Sequence, residues 1–178
     1  TGSNGDTYDL YISTDDTQLG TFLGTANASN YDAGGLSFAT ALAEGQTHYL
    51  HIIATTSGEN TGLIGSVYLN PNEFILSDKK YESLSGESHW RVSETGFGEN
   101  YEIPTSLGVN GTSPWEYVSN IDSDAEWIWD ANICVSCTRY FSLAIEPKQE
   151  TYRFGEGSGH VSLLLDNTDD IVVFLGEL

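Results

Sequence analysis

Basic residues are scarce in this chain: six Lys and Arg stand against 26 Asp and Glu, which gives 178 residues a formal net charge of −20 at pH 7. Binding to the phosphates of nucleic acid or of anionic membranes depends on Lys and Arg side chains. We therefore expect no nucleic acid and no membrane among its partners. Repulsion among so many carboxylates also destabilises a compact chain unless cations lie between them.

Methionine is absent, and no apolar run reaches the roughly 18 residues of a membrane-spanning helix. The chain begins with Thr1, so we expect a single domain, residues 1–178, excised from a larger protein. Few Lys beside 19 Gly and ten Tyr are typical of exposed extracellular sheets. Together with the acidity, this composition predicts an extracellular or cell-surface protein in calcium-rich fluid.

Only two cysteines occur, Cys134 and Cys137, and they form a lone C-x-x-C without the second pair that a zinc site needs. A local disulfide, two free thiols and a redox motif are the three alternatives, and we favour the disulfide. The redox motif is least favoured because no βαβ pattern surrounds the pair. Such a short loop adds little to the stability of the fold.

Short apolar or alternating runs separated by Gly, Asn, Asp and Pro predict strands and turns, with almost no helical periodicity. Residues 48–54 and 63–69 suggest a hairpin, and residues 77–125 suggest long loops that carry the function. The sequence therefore predicts an all-β fold, a β-sandwich. Strands are expected at residues 8–12, 19–23, 36–42, 48–54, 63–69, 125–129, 139–145, 160–165 and 171–175.

Several segments resemble, in order, a galactose-binding-like jelly-roll family of extracellular bacterial proteins. Residues 6–12 (DTYDLYI) are similar to its first strand, roughly D-x-Y-x-L-Y-V. One departure is that Asp15 and Asp16 stand where members usually place Asn-Gly. The resemblance spans about residues 6–145 and implies a jelly-roll β-sandwich. The later landmarks are Leu42-x-x-Gly45, HYLHIIA at 48–54, GLIG at 62–65, HWRVS at 89–93, Pro114-Trp115, AEWIW at 125–129 and RYF at 139–141.

Aromatic residues supply the candidate ligand contacts. Period-two alternation places Trp127 and Trp129 on one face of a strand, where they are either a sugar platform or, as we favour, core residues. Trp115 and Tyr117 follow Pro114 in the loop region, where they either pack or offer an exposed face to a ligand. The candidate ligand-binding residues are Trp115, Tyr117, Asp15, Asp16 and Asn60.

Carboxylate and amide oxygens at alternate positions are the ligands that Ca²⁺ prefers. Asp122 and Asp124, with Asp130 and Asn132 nearby, are the candidate metal ligands, and Ca²⁺ is the expected cofactor. The clusters at Asp15–Asp16 and at residues 166–170 offer similar oxygens, although none is a complete EF-hand loop. The alternative for any one cluster is a set of solvated carboxylates.

Catalysis has little support in the sequence. The four histidines form no recognisable site, since His48 and His51 are three apart on a predicted strand and therefore on opposite faces. Gly-x-Ser-x-Gly does not occur. A glycosidase carboxylate pair is the one enzymatic alternative, and spacing alone does not identify it.

These observations favour a non-catalytic adhesion module, expected to be monomeric, that recognises a glycan on a host or neighbouring cell with the assistance of calcium. In its acidity, its small jelly roll and its expected excision from a larger protein, this chain resembles the ligand-binding domains of RTX-type bacterial adhesins. The alternatives are an adhesin domain that binds a peptide or protein, an accessory carbohydrate-binding module of a secreted glycoside-degrading enzyme, and a structural spacer.

Overall fold

A computed structural model describes residues 6–27, 36–58, 61–132 and 134–149, and the backbone of two further strands within residues 151–164. These residues are entirely β-strand, turn and irregular structure, and they contain no helix that could cross a membrane. The strands are β1 (Thr7–Ser13), β2 (Thr21–Asn27), β3 (His48–Thr55), β4 (Ser66–Tyr68), β5 (Phe74–Ile75), β6 (Glu82–Leu84), β7 (Trp90–Ser93), β8 (Thr105–Val109), β9 (Glu126–Trp129), β10 (Thr138–Pro147), β11 (Thr151–Phe154) and β12 (Val161–Leu164).

The principal sheet is antiparallel and has the order β2-β1-β3-β10-β5, with β7 also pairing with β10. Strand β3 lies between β1 and β10 along its whole length, so Ile52 faces Leu10 on one side and Phe141 on the other. Side chains alternate between the two faces of each strand. One face therefore carries a continuous apolar surface, which buries residues such as Leu50, Ile52 and Leu143.

A second layer packs on this apolar face through β9. Ile128 and Trp129 are fully buried there, and the Trp129 ring lies 5.5 Å from that of Phe141 in β10. Strand β9 pairs with β8 and exchanges two backbone hydrogen bonds with Leu63, at 2.9 and 2.8 Å. Ser85 N–H donates to Gly65 O, and Glu126 N–H donates to Ser85 O, so the β4–β6 pair adjoins β9. This arrangement of antiparallel layers is consistent with a β-sandwich.

The all-β class predicted from the sequence is confirmed, whereas two local predictions are wrong. Residues 48–54 and 63–69 form no hairpin, because both edges of β3 are already occupied by β1 and β10. Residues 36–42 form no strand; instead Phe38 packs on Gly24 of β2 so closely that a side chain at position 24 would not fit. The predicted strand at 171–175 lies outside the described residues.

The segment expected to hold only long loops, residues 77–125, contains three short strands, β6, β7 and β8. Each is three to five residues long, too short for its alternation to stand out from the Gly and Ser around it. Cys134 and Cys137 form the disulfide favoured from the sequence, directly before β10, and Thr56 N–H donates to Cys137 O at 2.9 Å.

Replacement of Trp129 by Ala tests the packing between the layers. Trp129 is fully buried, so the variant is expected to lose about 3–5 kcal/mol of unfolding free energy, the usual cost of removing a large buried aromatic residue. Ile103→Ala is the matched control, because that side chain is exposed and its loss should change stability by less than about 0.5 kcal/mol. Urea unfolding of both variants measures the difference, and equal midpoints would contradict the described packing.

Candidate functional site

An apolar cavity of about 810 Å³ lies against the core face of the principal sheet. Tyr8, Leu10 and Ile12 of β1 line it, and so do β4 and the residues before that strand. Residues 36–40 line another side. Apolar side chains dominate the lining, and polar groups such as Asn27, Ser66 and Asn120 are few. A cavity of this size and character fits the usual description of a small-molecule site.

Two tryptophans form one wall of the cavity. The rings of Trp115 and Trp127 stack 5.1 Å apart at an angle of 13°, and Val118 packs with them. Gly62 lies against both rings, where a side chain would clash, and its carbonyl accepts a hydrogen bond of 2.7 Å from the Tyr8 hydroxyl. Burial, with a smaller contribution from Asp6, raises the pKa of Tyr8, so this hydroxyl stays a donor.

Of the two loop aromatics, Trp115 packs and Tyr117 is exposed. Trp115 is only 9% accessible, so the packing alternative holds for it, and one face of its indole is covered by Trp127. Tyr117 is 58% accessible and lies over Gly111, whose positive φ of 93° forms the turn before it. The buried Asn110 fixes this loop, since its amide donates to Val118 O at 3.0 Å and accepts from Val118 N–H at 2.9 Å.

Asp15 and Asp16 lie in the turn after β1, and both are engaged by the protein itself. Asp15 Oδ1 accepts hydrogen bonds from the backbone and hydroxyl of Thr17. Asp16 Oδ1 accepts from the Tyr101 hydroxyl at 3.0 Å and from Ser142 Oγ at 3.3 Å, and lies 3.5 Å from His51 Nε2. Asp16 therefore ties three segments together on the outer face of the sheet. Asn60 lies outside the described residues.

His51 is completely buried on that outer face because the loop after β7 covers it. The Phe97 ring stacks on the imidazole at 4.0 Å and meets Tyr140 edge-on at 5.2 Å. Burial lowers the pKa of His51 below its ordinary value, although Asp16 raises it in part. His48 faces the core instead, as the three-residue spacing predicts, and its Nε2 lies 2.8 Å from Ala43 O.

A second, polar pocket of about 270 Å³ lies where the end of β9 meets the loop after β7. Asp130 is buried there and accepts a hydrogen bond from Arg139 Nε, while Arg139 Nη2 lies 3.0 Å from Glu94 Oε1. Asn132 also donates to Glu94 Oε1, at 3.2 Å. Burial, and to a smaller extent the Glu94 carboxylate, raises the pKa of Asp130 despite the opposing effect of Arg139.

The four candidate metal ligands lie in two places. Asp122 and Asp124 share a turn before β9, where Asp124 N–H donates to Asp122 Oδ1 at 2.8 Å, and Asp130 and Asn132 follow the strand. Four residues of strand separate the two pairs by more than about 13 Å, at roughly 3.3 Å per residue. Among the residues that the structure describes, no three His, Cys, Asp or Glu side chains form a ready-made metal centre.

Sequence reasoning missed Glu94, Asn100 and Glu102, which line the polar pocket beside Asp130 and Asn132. One signal was present: Arg139 occupies a core-face position of a predicted apolar strand in a chain with six basic residues. A cation there requires buried carboxylate partners.

The chain matches no protein-family model, no curated protein and no solved structure.

The lowered pKa of His51 makes stability depend on pH. The unfolded chain takes up this proton near pH 6.5, before the folded protein does, so the histidine reduces stability as the pH falls through that value. Between pH ~7.5 and ~5.5, wild type should therefore lose stability relative to His51→Gln. Thermal unfolding of both proteins across this range measures the difference. The carboxylates titrate in both proteins, so their effect cancels in the comparison. Parallel profiles of stability against pH would therefore show that His51 keeps an ordinary pKa.

Proposed function

We propose that this chain is a non-catalytic, extracellular ligand-binding module whose binding site is the apolar cavity beside Trp115 and Trp127. The observation that carries the proposal is the cavity itself, about 810 Å³ of space on the core side of an antiparallel sheet. A space of this size, within the usual 300–1,000 Å³ of ligand pockets, is therefore assigned to a ligand.

Two Ser–His–Asp groupings among the described residues are not placed for nucleophilic catalysis, which supports a binding role over a serine-dependent activity. In the first, Ser142 Oγ donates to Asp16 and not to His51, and Ser142 is only 3% accessible. In the second, Ser83 Oγ lies 3.4 Å from His89 Nδ1, and His89 Nε2 lies 3.0 Å from Asp78, but Ser83 is fully buried. A nucleophile must reach its substrate, so neither serine is placed to act as one.

The lining of the cavity favours a ligand that inserts an apolar group. A sugar platform needs a free aromatic face, and the stacking of Trp115 on Trp127 covers one face of each indole. The peptide-binding alternative is therefore favoured over a glycan for the cavity, with an apolar side chain as the inserted group. A glycan stacked on the exposed Tyr117 is the second candidate, favoured by the accessibility of that ring at the edge of the same loop.

An extracellular location is proposed from the disulfide and the acidity. Disulfides persist in oxidising compartments, and a net charge of −20 suits a surface that meets high concentrations of divalent cations. The resemblance to galactose-binding-like jelly rolls and to the ligand-binding domains of RTX-type adhesins supports the same proposal. We include in this proposal that the β-sandwich has a jelly-roll topology.

A cavity-filling variant tests the binding site. Gly65 lines the cavity, and a Cβ atom at this position would meet no other atom within 4 Å, so we expect Gly65→Leu to add bulk to the cavity lining without a clash at Cβ. Ala144→Leu places the same side chain on the exposed outer face of β10 and serves as the matched control. The neutral dye N-phenylnaphthylamine is the probe, because an anionic dye would be repelled by this surface.

We expect wild type and Ala144→Leu to bind the dye with a rise in fluorescence, and Gly65→Leu to bind it at least about tenfold more weakly, a difference of 1.4 kcal/mol. Peptides with apolar termini should displace the dye from wild type. If wild type does not bind the dye, or if all three proteins bind it equally, the cavity is not the ligand site. Binding of a glycan that leaves the dye in the cavity would favour the second candidate, because Tyr117 does not line the cavity.

A further inference from the structure

We propose that the polar pocket formed by Glu94, Asn100, Glu102, Asp130 and Asn132 binds a divalent cation, and that this cation is Ca²⁺. The pocket shares no lining residue with the apolar cavity. Cation binding at the polar pocket is therefore independent of ligand binding at the cavity, and either proposal can fail while the other holds. Its ligand set also differs from the four residues expected from the sequence, because Asp122 and Asp124 are replaced by residues of the loop after β7.

The first observation is a buried carboxylate oxygen without a partner. Asp130 is only 5% accessible and lines the pocket, and its Oδ2 accepts the hydrogen bond from Arg139. Its second oxygen, Oδ1, is buried and has no hydrogen-bond partner among the described residues. Leaving a charged acceptor unsatisfied in the interior costs several kcal/mol in the usual case. A bound cation satisfies this oxygen.

The second observation is the local charge. Three carboxylates line the pocket, those of Glu94, Glu102 and Asp130, and among the described residues one cation, Arg139, pairs with Glu94 and Asp130. A charge of about −2 is therefore left in a partly buried site, where Coulomb repulsion is screened less than at the surface. A divalent ion neutralises this charge.

The third observation is the set of free oxygen acceptors around the space. The amide of Asn132 uses its nitrogen to donate to Glu94 Oε1, and that of Asn100 uses its nitrogen towards Thr95 Oγ1 at 3.5 Å, so both amides keep their oxygens as acceptors. Ser93 and Thr95 also line the pocket, but their hydroxyl oxygens already take part in hydrogen bonds within the loop. A volume of about 270 Å³ accommodates an ion and several water molecules, each of which takes about 30 Å³.

The chemistry of these ligands selects the ion. The lining residues offer oxygen atoms and no histidine or cysteine, which disfavours Zn²⁺. Ca²⁺ accepts six to eight oxygens from carboxylates, amides and water in flexible geometry, so it does not require three gathered carboxylates. Mg²⁺ demands a near-ideal octahedron and releases its water reluctantly. The pocket offers two exposed loop carboxylates and two amide oxygens, and these ligands suit the flexible coordination of the larger ion, Ca²⁺.

Isothermal titration of the full chain with CaCl₂, after removal of metal with chelator, tests the proposal. We expect one site with a Kd of about 10⁻⁴–10⁻³ M, the range of extracellular modules, and weaker binding of Mg²⁺ at the same ionic strength. Glu102→Gln removes one charge from an exposed side chain that has no described side-chain partner, so it should fold normally. It should weaken Ca²⁺ binding roughly tenfold.

The double variant Asp122→Asn/Asp124→Asn is the matched control, because it removes two charges from the other acidic turn while an amide can still accept the bond within that turn. It should bind Ca²⁺ as wild type does. Loss of binding in this control with normal binding by Glu102→Gln would move the site to residues 122–124 and overturn the proposal. Equal heats with Ca²⁺ and Mg²⁺ in all three proteins, or no saturable heat, would overturn it as well.

Discussion

The buried ion pair between Arg139 and Asp130 joins the two layers of this protein and holds the loop after β7 against both of them. Arg139 projects from the core face of β10, in line with Ala54 of β3, and is almost completely buried. Asp130 follows β9, the strand that carries the second layer. Breaking such a pair by removing one partner usually costs about 3–5 kcal/mol, because the other charge stays buried and uncompensated.

The same guanidinium organises the loop between β7 and β8, since it also contacts Glu94 at the beginning of that loop. Farther along, Phe97 stacks on His51 and the Tyr101 hydroxyl donates to Asp16. One loop thus reaches from the junction of the two layers to the outer face of the principal sheet. In a chain with so few cations, Arg139 allows carboxylates to be placed where they would otherwise repel one another.

The fold class was predictable because the alternation of apolar and polar residues is strong in strands that pair with another strand on both edges. Strands β1, β3 and β10 are seven to ten residues long, and their apolar positions face one core. Their pairing was not predictable: the adjacency of β3 to β10 joins residues about 90 positions apart, and nothing local indicates it. Short strands such as β6 and β7 take their conformation from their neighbours and not from their own sequence.

The candidate sites were predictable only in part, for a related reason. Trp115 follows a proline in a region rich in Gly and Ser, which left packing and exposure both open, because its stacking partner Trp127 lies 12 residues away in β9. Asp130 and Asn132 were predicted as oxygen ligands, but the other residues that line the pocket with them come from β7 and the loop after it. Local spacing finds residues that suit a site, and the topology decides which of them meet.

A ligand that enters the cavity beside Trp115 and Trp127 must change the environment of their rings, which the indole ¹H–¹⁵N NMR signals of the four tryptophans report. Trp90, Trp115 and Trp127 line the cavity, whereas Trp129 is buried in the core away from it. During titration with N-phenylnaphthylamine, the account predicts saturable shifts of the three lining tryptophans and a constant Trp129 signal. Unchanged signals from Trp115 and Trp127 at saturating dye would contradict it.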